Sequence, residues 1–367
     1  QTQPRIVPDG SGGAIVVWTD ERGVDQDIYA QRVDAAGTIL WTAGGVPLCT
    51  MSGGQSDARI AADGEGGAIV IWPDARFSST YYTYYAQRID ADGSIHDGWA
   101  DGGVVISLVS GSANGYIRDA CLDSDGGGGA IIAWEDDVGG YVNIYAQRID
   151  GSGAVRWAAR GIVLCGATGG DYQPQIVSDG VGGAIVAWAH GYSIYAQRVD
   201  ASGAVQWTVN GVGIYTGTAS AVNHQIVGDG TGGAIVLWAD NRYPFNSYMY
   251  LYAVHAQRVN ASGTVQWTAN GVQIGGTGAM PDYAMALCAV SDGAGGAIVA
   301  WDNFLGGDGF DIFAQRVDGD GGIHDGWATQ GICVCYATKE QNSACIATAG
   351  GVCGAIVAWW DGRGGNY

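Results

Sequence analysis

One short phrase is written seven times along this chain, and a chain built that way folds as stacked copies of one small unit. The clearest copy runs Gly12-Gly13-Ala14-Ile15-Val16-Val17-Trp18, and it returns ending at Trp72, Trp134, Trp188, Trp238, Trp301 and Trp359. A second phrase, Ile28-Tyr29-Ala30-Gln31-Arg32-Val33-Asp34, follows the first copy, and five variants carry Arg88, Arg148, Arg198, Arg258 and Arg316. The copies stand about 50 to 63 residues apart, in the range of arrays and propellers. A unit of that size cannot bury both of its faces alone, so neighbouring units must cover one another.

The fourth copy reads strand by strand. Gln175-Ile176-Val177 is a short strand, followed by a turn at Ser178-Asp179-Gly180-Val181-Gly182-Gly183, rich in residues that tolerate positive φ. Ala184 to Trp188 is apolar on both faces, as a strand packed between two sheets requires, whereas a half-exposed strand would alternate. Ile194 to Asp200 is a third strand, and Ala204-Val205-Gln206-Trp207 reads as the fourth. Four antiparallel strands per unit make a propeller blade. The expected fold is therefore all-β, a seven-bladed β-propeller whose last blade is incomplete, with an open β-helical solenoid as the runner-up. The expected organisation is one domain over residues 1–367, with blades near 1–54, 55–114, 115–170, 171–221, 222–280, 281–340 and 341–367. The last blade has two strands before Tyr367. Either its missing strands come from a longer precursor, or its open edge invites self-association.

The formal charge is −20, which disfavours nucleic acid and anionic membranes as partners. Lys339 is the only lysine. No apolar run is long enough for a membrane-spanning helix, so membrane insertion is not expected. Eight cysteines occur with no Cys-x-x-Cys pair, which fits disulfides in an exported protein better than zinc. Cys345 and Cys353 flank one hairpin and are the best candidate pair. Cys121 with Cys165, and Cys288 with Cys333 or Cys335, are weaker ones, and buried free thiols are the alternative.

In outline the unit is similar to a WD40 repeat. The chain more closely resembles repeats of secreted and cell-surface bacterial proteins that read Trp-x-Asp-x-Arg, then Asp-Ile-Tyr-Ala-Gln-Arg-Val-Asp. The first element stands here as Trp18-Thr19-Asp20-Glu21-Arg22, Trp72-Pro73-Asp74-Ala75-Arg76, Trp238-Ala239-Asp240-Asn241-Arg242 and Trp359-Trp360-Asp361-Gly362-Arg363. The resemblance spans essentially the whole chain. It implies an extracellular or cell-surface location and transfers no catalytic residues.

The candidate residues follow from the repeat and its departures. Arg32, Arg88, Arg148, Arg198, Arg258 and Arg316 are expected to form structural ion pairs with Asp20, Asp74, Asp136 and Asp240. The tryptophans at 41, 99, 157, 207, 267 and 327 are expected to pack between blades. Asp90, Asp92, Asp318 and Asp320 stand in Asp-x-Asp-Gly turns that could hold calcium, the one cofactor considered. His96 and His324 fall in an inserted His-Asp-Gly, read as a bulge. The most individual segments are loops rich in tyrosine, a residue that suits sugar stacking and protein contact. They bring forward Phe77, Tyr81, Tyr82, Tyr84, Tyr243, Phe245, Tyr248, Tyr250 and Tyr252, and the links between blades add Tyr116, Tyr172 and Tyr283. No nucleophile elbow, His-Glu-x-x-His or P-loop is present.

The leading expectation is thus a non-catalytic extracellular binding or adhesion module, not an enzyme, presenting these loops to carbohydrate or protein. A structural subunit of a surface layer or appendage is the alternative. A carbohydrate-active enzyme is the second alternative, since a glycosidase needs little more than two well-placed carboxylates.

Overall fold

The computed structural model describes residues 1–77, 82–107, 117–138, 140–244, 250–276, 286–304, 309–349 and 354–364. They form six four-stranded sheets and a seventh of two strands, Gln341–Thr348 and Ala355–Asp361. Within each sheet the strands follow one another in chain order. This is the β-propeller class that the repeats call for, and no α-helix occurs among the described residues. By its internal contacts the chain divides into two compact units, Gln1–Ala184 with Val199–Val205, and Ile185–Arg198 with Gln206–Tyr367.

In the first unit, sheets pack face to face through their second strands. Ile15, Val17, Ile28 and Ala30 of sheet one meet Ala68, Val70 and Trp72 of sheet two, all fully buried. Ile69 and Ile71, on the other face of sheet two, meet Ile132 and Trp134 of sheet three. The run Ala-Ile-Val-Ile-Trp is apolar at every position because both of its faces are covered. The first strands also lie side by side: Thr2–Pro8 against Arg59–Ala62, that strand against Ile117–Ser124, and the third against Asp171–Ser178. In the second unit the same packing joins Ile235, Leu237 and Val254 to Val299, Trp301 and Phe313.

The tryptophans expected between blades do latch neighbouring sheets. Trp41 Nε1 donates to Ala91 O at 3.0 Å, Trp99 to Gly151 O at 3.1 Å and Trp157 to Ala201 O at 3.3 Å. Their surroundings differ from expectation, because Ala204–Trp207 does not form a fourth strand. Val205 makes a single bridge to Val199, and the fourth strand of that sheet is Val212–Tyr215. The repeated glutamine displaces the ladder. Gln147 Oε1 accepts from Arg148 N and Trp157 N, both at 2.9 Å, and its Nε2 donates to Ala158 O at 2.6 Å. A buried side-chain amide thus satisfies backbone groups that a continued strand would have paired.

The repeated arginines are also structural, but with other partners than expected. Arg32 pairs with Asp9 at 2.9 Å, Arg88 with Asp63 at 3.0 Å, Arg148 with Asp125 at 2.8 Å, Arg258 with Asp229 at 2.9 Å and Arg316 with Asp292 at 2.9 Å. Strand register explains the change. Arg32 stands opposite Ile15 while Asp20 stands opposite Asp27, so Arg32 and Asp20 sit at opposite ends of the hairpin. The same holds for Arg88 and Asp74, Arg148 and Asp136, and Arg258 and Asp240. Arg198 Nη1 reaches Ala261 O at 3.1 Å. Asp20, Asp74 and Asp240 instead accept from the indole two residues before them, at 2.8, 3.0 and 2.7 Å, and pair with the arginine two residues after. Asp136 has no arginine at that spacing, and burial raises its carboxyl.

Candidate functional site

The aromatic residues singled out in the sequence do not share one environment. Phe77, Tyr82 and Tyr172 are exposed. Tyr84 is buried, its hydroxyl accepts from Ala120 N at 3.3 Å, and burial pushes its ionisation up. Tyr252 packs against the core of the second unit. Tyr243 and Tyr250 fall in the strands Ala234–Pro244 and Tyr250–Val259. Tyr81, Tyr116, Phe245, Tyr248, Tyr283 and Cys353 lie outside the described residues.

The candidate calcium turns spend their oxygens locally. Asp92 Oδ1 accepts from Ser94 N at 2.9 Å, and Asp320 Oδ1 from Gly322 N at 2.9 Å. Asp90 and Asp318 each meet a histidine, His96 Nδ1 and His324 Nδ1, at 2.8 Å. Among the described residues no group of three or more acidic, histidine or cysteine side chains is placed to hold a metal ion. The expected disulfides also fail to form among the described cysteines: Cys121, Cys165, Cys288, Cys333, Cys335 and Cys345 are free thiols, as is Cys49. Cys121, Cys288 and Cys345 lie in first strands, whereas Cys165, Cys333 and Cys335 lie in fourth strands, so strand order separates Cys121 from Cys165 and Cys288 from Cys333.

A cavity of about 520 Å³ in the second unit is lined by Tyr192, Tyr215, Asn241, Arg242 and Asn270. Several of its polar groups are already engaged. The Tyr215 hydroxyl donates to Ala219 O and accepts from Ala219 N, Asn241 Oδ1 accepts from Ser220 N, and Asn270 Oδ1 accepts from Thr216 N. Arg242 is held by Asp240. No carboxylate lines this cavity, which leaves it without a proton donor for hydrolysis.

Sheet three offers different chemistry. Near the start of each first strand stands a residue six positions before the turn aspartate, and this residue carries positive φ at Gln3, Asp57, Asp119, Gln173 and Asn223. In sheet one this residue's side chain meets the position after the second-strand tryptophan. The meeting there is neutral: Thr19 Oγ1 donates to Gln3 Oε1 at 3.1 Å. In sheet three both positions carry acids. Buried Glu135 pairs across the strands with Arg118, the residue before the exposed Asp119, and its Oε1 accepts from Gln173 N at 2.6 Å. Arg118 Nε lies 3.8 Å from Glu135 Oε2. Burial, with a further push from the Asp119 charge, raises Glu135 from its usual 4.5 up to about 7. Glu135 therefore keeps its proton well above the usual carboxylate range. Of the seven sheets only the third has acids at both positions; the others combine Thr19, Pro73, Ala189, Ala239, Asp302 or Trp360 with Gln3, Asp57, Gln173, Asn223, Ala286 or Ser343.

No protein-family model matches this chain, and no curated protein matches it. Solved structures of similar fold exist. A variant of NanB sialidase from Streptococcus pneumoniae aligns at 13% identity over 95% of this chain and 63% of its own, with a TM-score of 0.44. A GH93 α-L-arabinofuranosidase of Fusarium graminearum aligns at 11% identity over 79% of this chain and 83% of its own, with a TM-score of 0.42. An exo-β-1,3-galactanase from Clostridium thermocellum aligns at 8% identity over 87% and 78%, with a TM-score of 0.39. All three are named as carbohydrate-active enzymes. The expectation of a non-catalytic binding or adhesion module, and with it that of no enzyme, is corrected by these findings and not carried further. At such identities the likeness is one of fold and transfers no residue, so the chemistry has to come from this chain's own side chains.

Proposed function

We propose that this chain hydrolyses glycosidic bonds, with the Glu135–Asp119 pair as proton donor. The observation that supports this is a buried carboxyl beside an exposed one on the neighbouring strand, at a position where the repeat elsewhere places at most one acid. A carboxyl that keeps its proton near pH 7 is what a departing sugar oxygen needs. Glu135 holds the proton, and Asp119, the exposed member, passes it outward. Asp57, at the equivalent kink of the neighbouring sheet, is the second carboxylate. The strands Arg59–Ala62, which follows Asp57, and Ile117–Ser124, which carries Asp119, lie side by side.

The step balances simply. The glycosidic oxygen takes the proton held by Glu135 as the bond from the anomeric carbon breaks. Water adds to that carbon and gives its proton to Asp57. Solvent then returns one proton to the pair and removes one from Asp57. Sugars are the substrate class also named for the structures of similar fold, and an extracellular setting suits the secreted-type repeats. Reducing-sugar release from a panel of neutral and acidic polysaccharides tests this reading. Glu135→Gln and Asp57→Asn should each lower the rate at least about 100-fold. Full activity in Glu135→Gln, or no release from any polysaccharide by the unaltered protein, would overturn it.

A further inference from the structure

We propose that Arg5 and Arg59 together bind the carboxylate of an acidic sugar beside the Glu135–Asp119 pair. This rests on the hydrolase reading and names its substrate class. Both arginines stand four residues before the turn aspartate of their sheet, in first strands that lie against one another. At the same position the other sheets carry Cys121, Gln175, Gln225, Cys288 and Cys345, all without a fixed charge. Two guanidiniums are thus confined to one pair of adjacent strands in a chain of net charge −20.

They share a single counter-charge. Arg59 Nη1 lies 2.6 Å from Asp57 Oδ1, while Arg5 Nη2 is 3.8 Å from the same oxygen. One positive charge is left over, and Arg5 makes the longer and weaker contact. Burial and the nearby Arg59 charge lower the Arg5 ionisation, the mark of a cation short of anions. The repeated arginines, by contrast, are fastened to turn aspartates and to backbone carbonyls of the next sheet, as Arg32 is to Asp9 and Ala91 O. Arg5 and Arg59 do no such latching, and their side chains are 47% and 28% exposed. A guanidinium edge accepts a carboxylate through two parallel hydrogen bonds, so the pair suits a planar anion. The strand Arg59–Ala62 lies against Ile117–Ser124, which carries Asp119, so the two sites adjoin. A sugar ring lying over Asp119 would present a ring carboxylate to Arg59 and Arg5.

The test is titration calorimetry on the Glu135→Gln protein, with trigalacturonate, its methyl ester and a sulfated galactose trimer as probes. The free acid should bind at least about tenfold more tightly than the ester, and less tightly in high salt. Arg5→Gln/Arg59→Gln should reduce that preference to within about twofold, whereas Arg156→Gln, an exposed arginine outside the site, should keep it. Arg5→Lys/Arg59→Lys keeps the charge and guards against a folding defect; it should recover part of the preference. Equal binding of acid and ester, a preference that survives the double glutamine variant, or tighter binding of the sulfated trimer would each overturn the assignment. If the acid binds in an arginine-dependent manner yet the unaltered protein cleaves no polysaccharide, the anion site stands and the hydrolase reading falls.

Discussion

Replacing Glu135 by glutamine isolates one proton. An ordinary glutamate ionises near 4.5, and in the folded protein Glu135 ionises near 7. Below pH 4.5 the group is protonated in both states, and the folded form has its full advantage. Above that the unfolded chain releases the proton while the folded chain still holds it, so stability falls as pH rises. The loss ends once pH passes about 7, where both states are ionised. Each pH unit in the window is worth about 1.4 kcal/mol, so the total is about 3 kcal/mol. Glutamine keeps an oxygen for Gln173 N but has nothing to titrate. Urea unfolding of both proteins at pH 4, 5.5, 7 and 8 should therefore give a stability difference, unaltered protein minus variant, that drops by about 3 kcal/mol between pH 4.5 and 7 and then levels. Subtracting the variant removes the other burial-raised acids, Asp27, Asp123, Asp136, Asp302 and Asp311. Asp119→Asn should shrink the drop without abolishing it, because burial is the larger cause and the Asp119 charge the smaller. Parallel curves for the unaltered protein and the Glu135→Gln variant would refute the argument, since the carboxyl would then not keep its proton in the fold. In activity, the same proton predicts a rate that declines as pH rises past about 7.

Three further outcomes are expected. Asp74→Ala strands the buried Trp72 Nε1 and the Arg76 guanidinium and should cost about 3 kcal/mol in chemical denaturation, while leaving carbohydrate cleavage largely intact in whatever folds. Gly161→Ala should cost about as much, because its φ is +79° and a Cβ would stand 2.6 Å from Trp134 Cη2 and 2.7 Å from Ala146 O; the melting temperature reads it. Timed alkylation with peptide mapping should label the exposed Cys333 and Cys345 well before Cys121 and Cys165, whose thiols burial pushes up to about 12.

The blade was legible because its signals are local. Apolar runs ending in tryptophan, Asp-Gly turns and the Ile-Tyr-Ala-Gln-Arg phrase each mark a strand or a turn within a few residues of themselves. The fourth strand was not legible, because the glutamine that diverts the ladder acts ten residues down the chain, from Gln147 to Trp157. A signal for the acid pair did exist in the sequence. Glu135 follows Trp134 where Thr19, Pro73, Ala189 and Ala239 stand in other copies, and Asp119 stands six residues before Asp125 as Gln3 does before Asp9. Nothing local says that these two positions are neighbours.

By itself, then, the sequence determined the unit, its number and its class of fold, since repetition forces stacking and stacking forces two apolar faces on the inner strands. It also marked the arginines as structural. Which aspartate each arginine meets was decided by register, which sets Arg32 opposite Ile15 and carries it away from Asp20 toward Asp9. The meetings of Glu135 with Asp119 and of Arg5 with Asp57 were decided by tertiary structure alone. They depend on a left-handed kink at the start of a strand and on two strands from different sheets lying side by side, at separations that no pattern in the chain encodes.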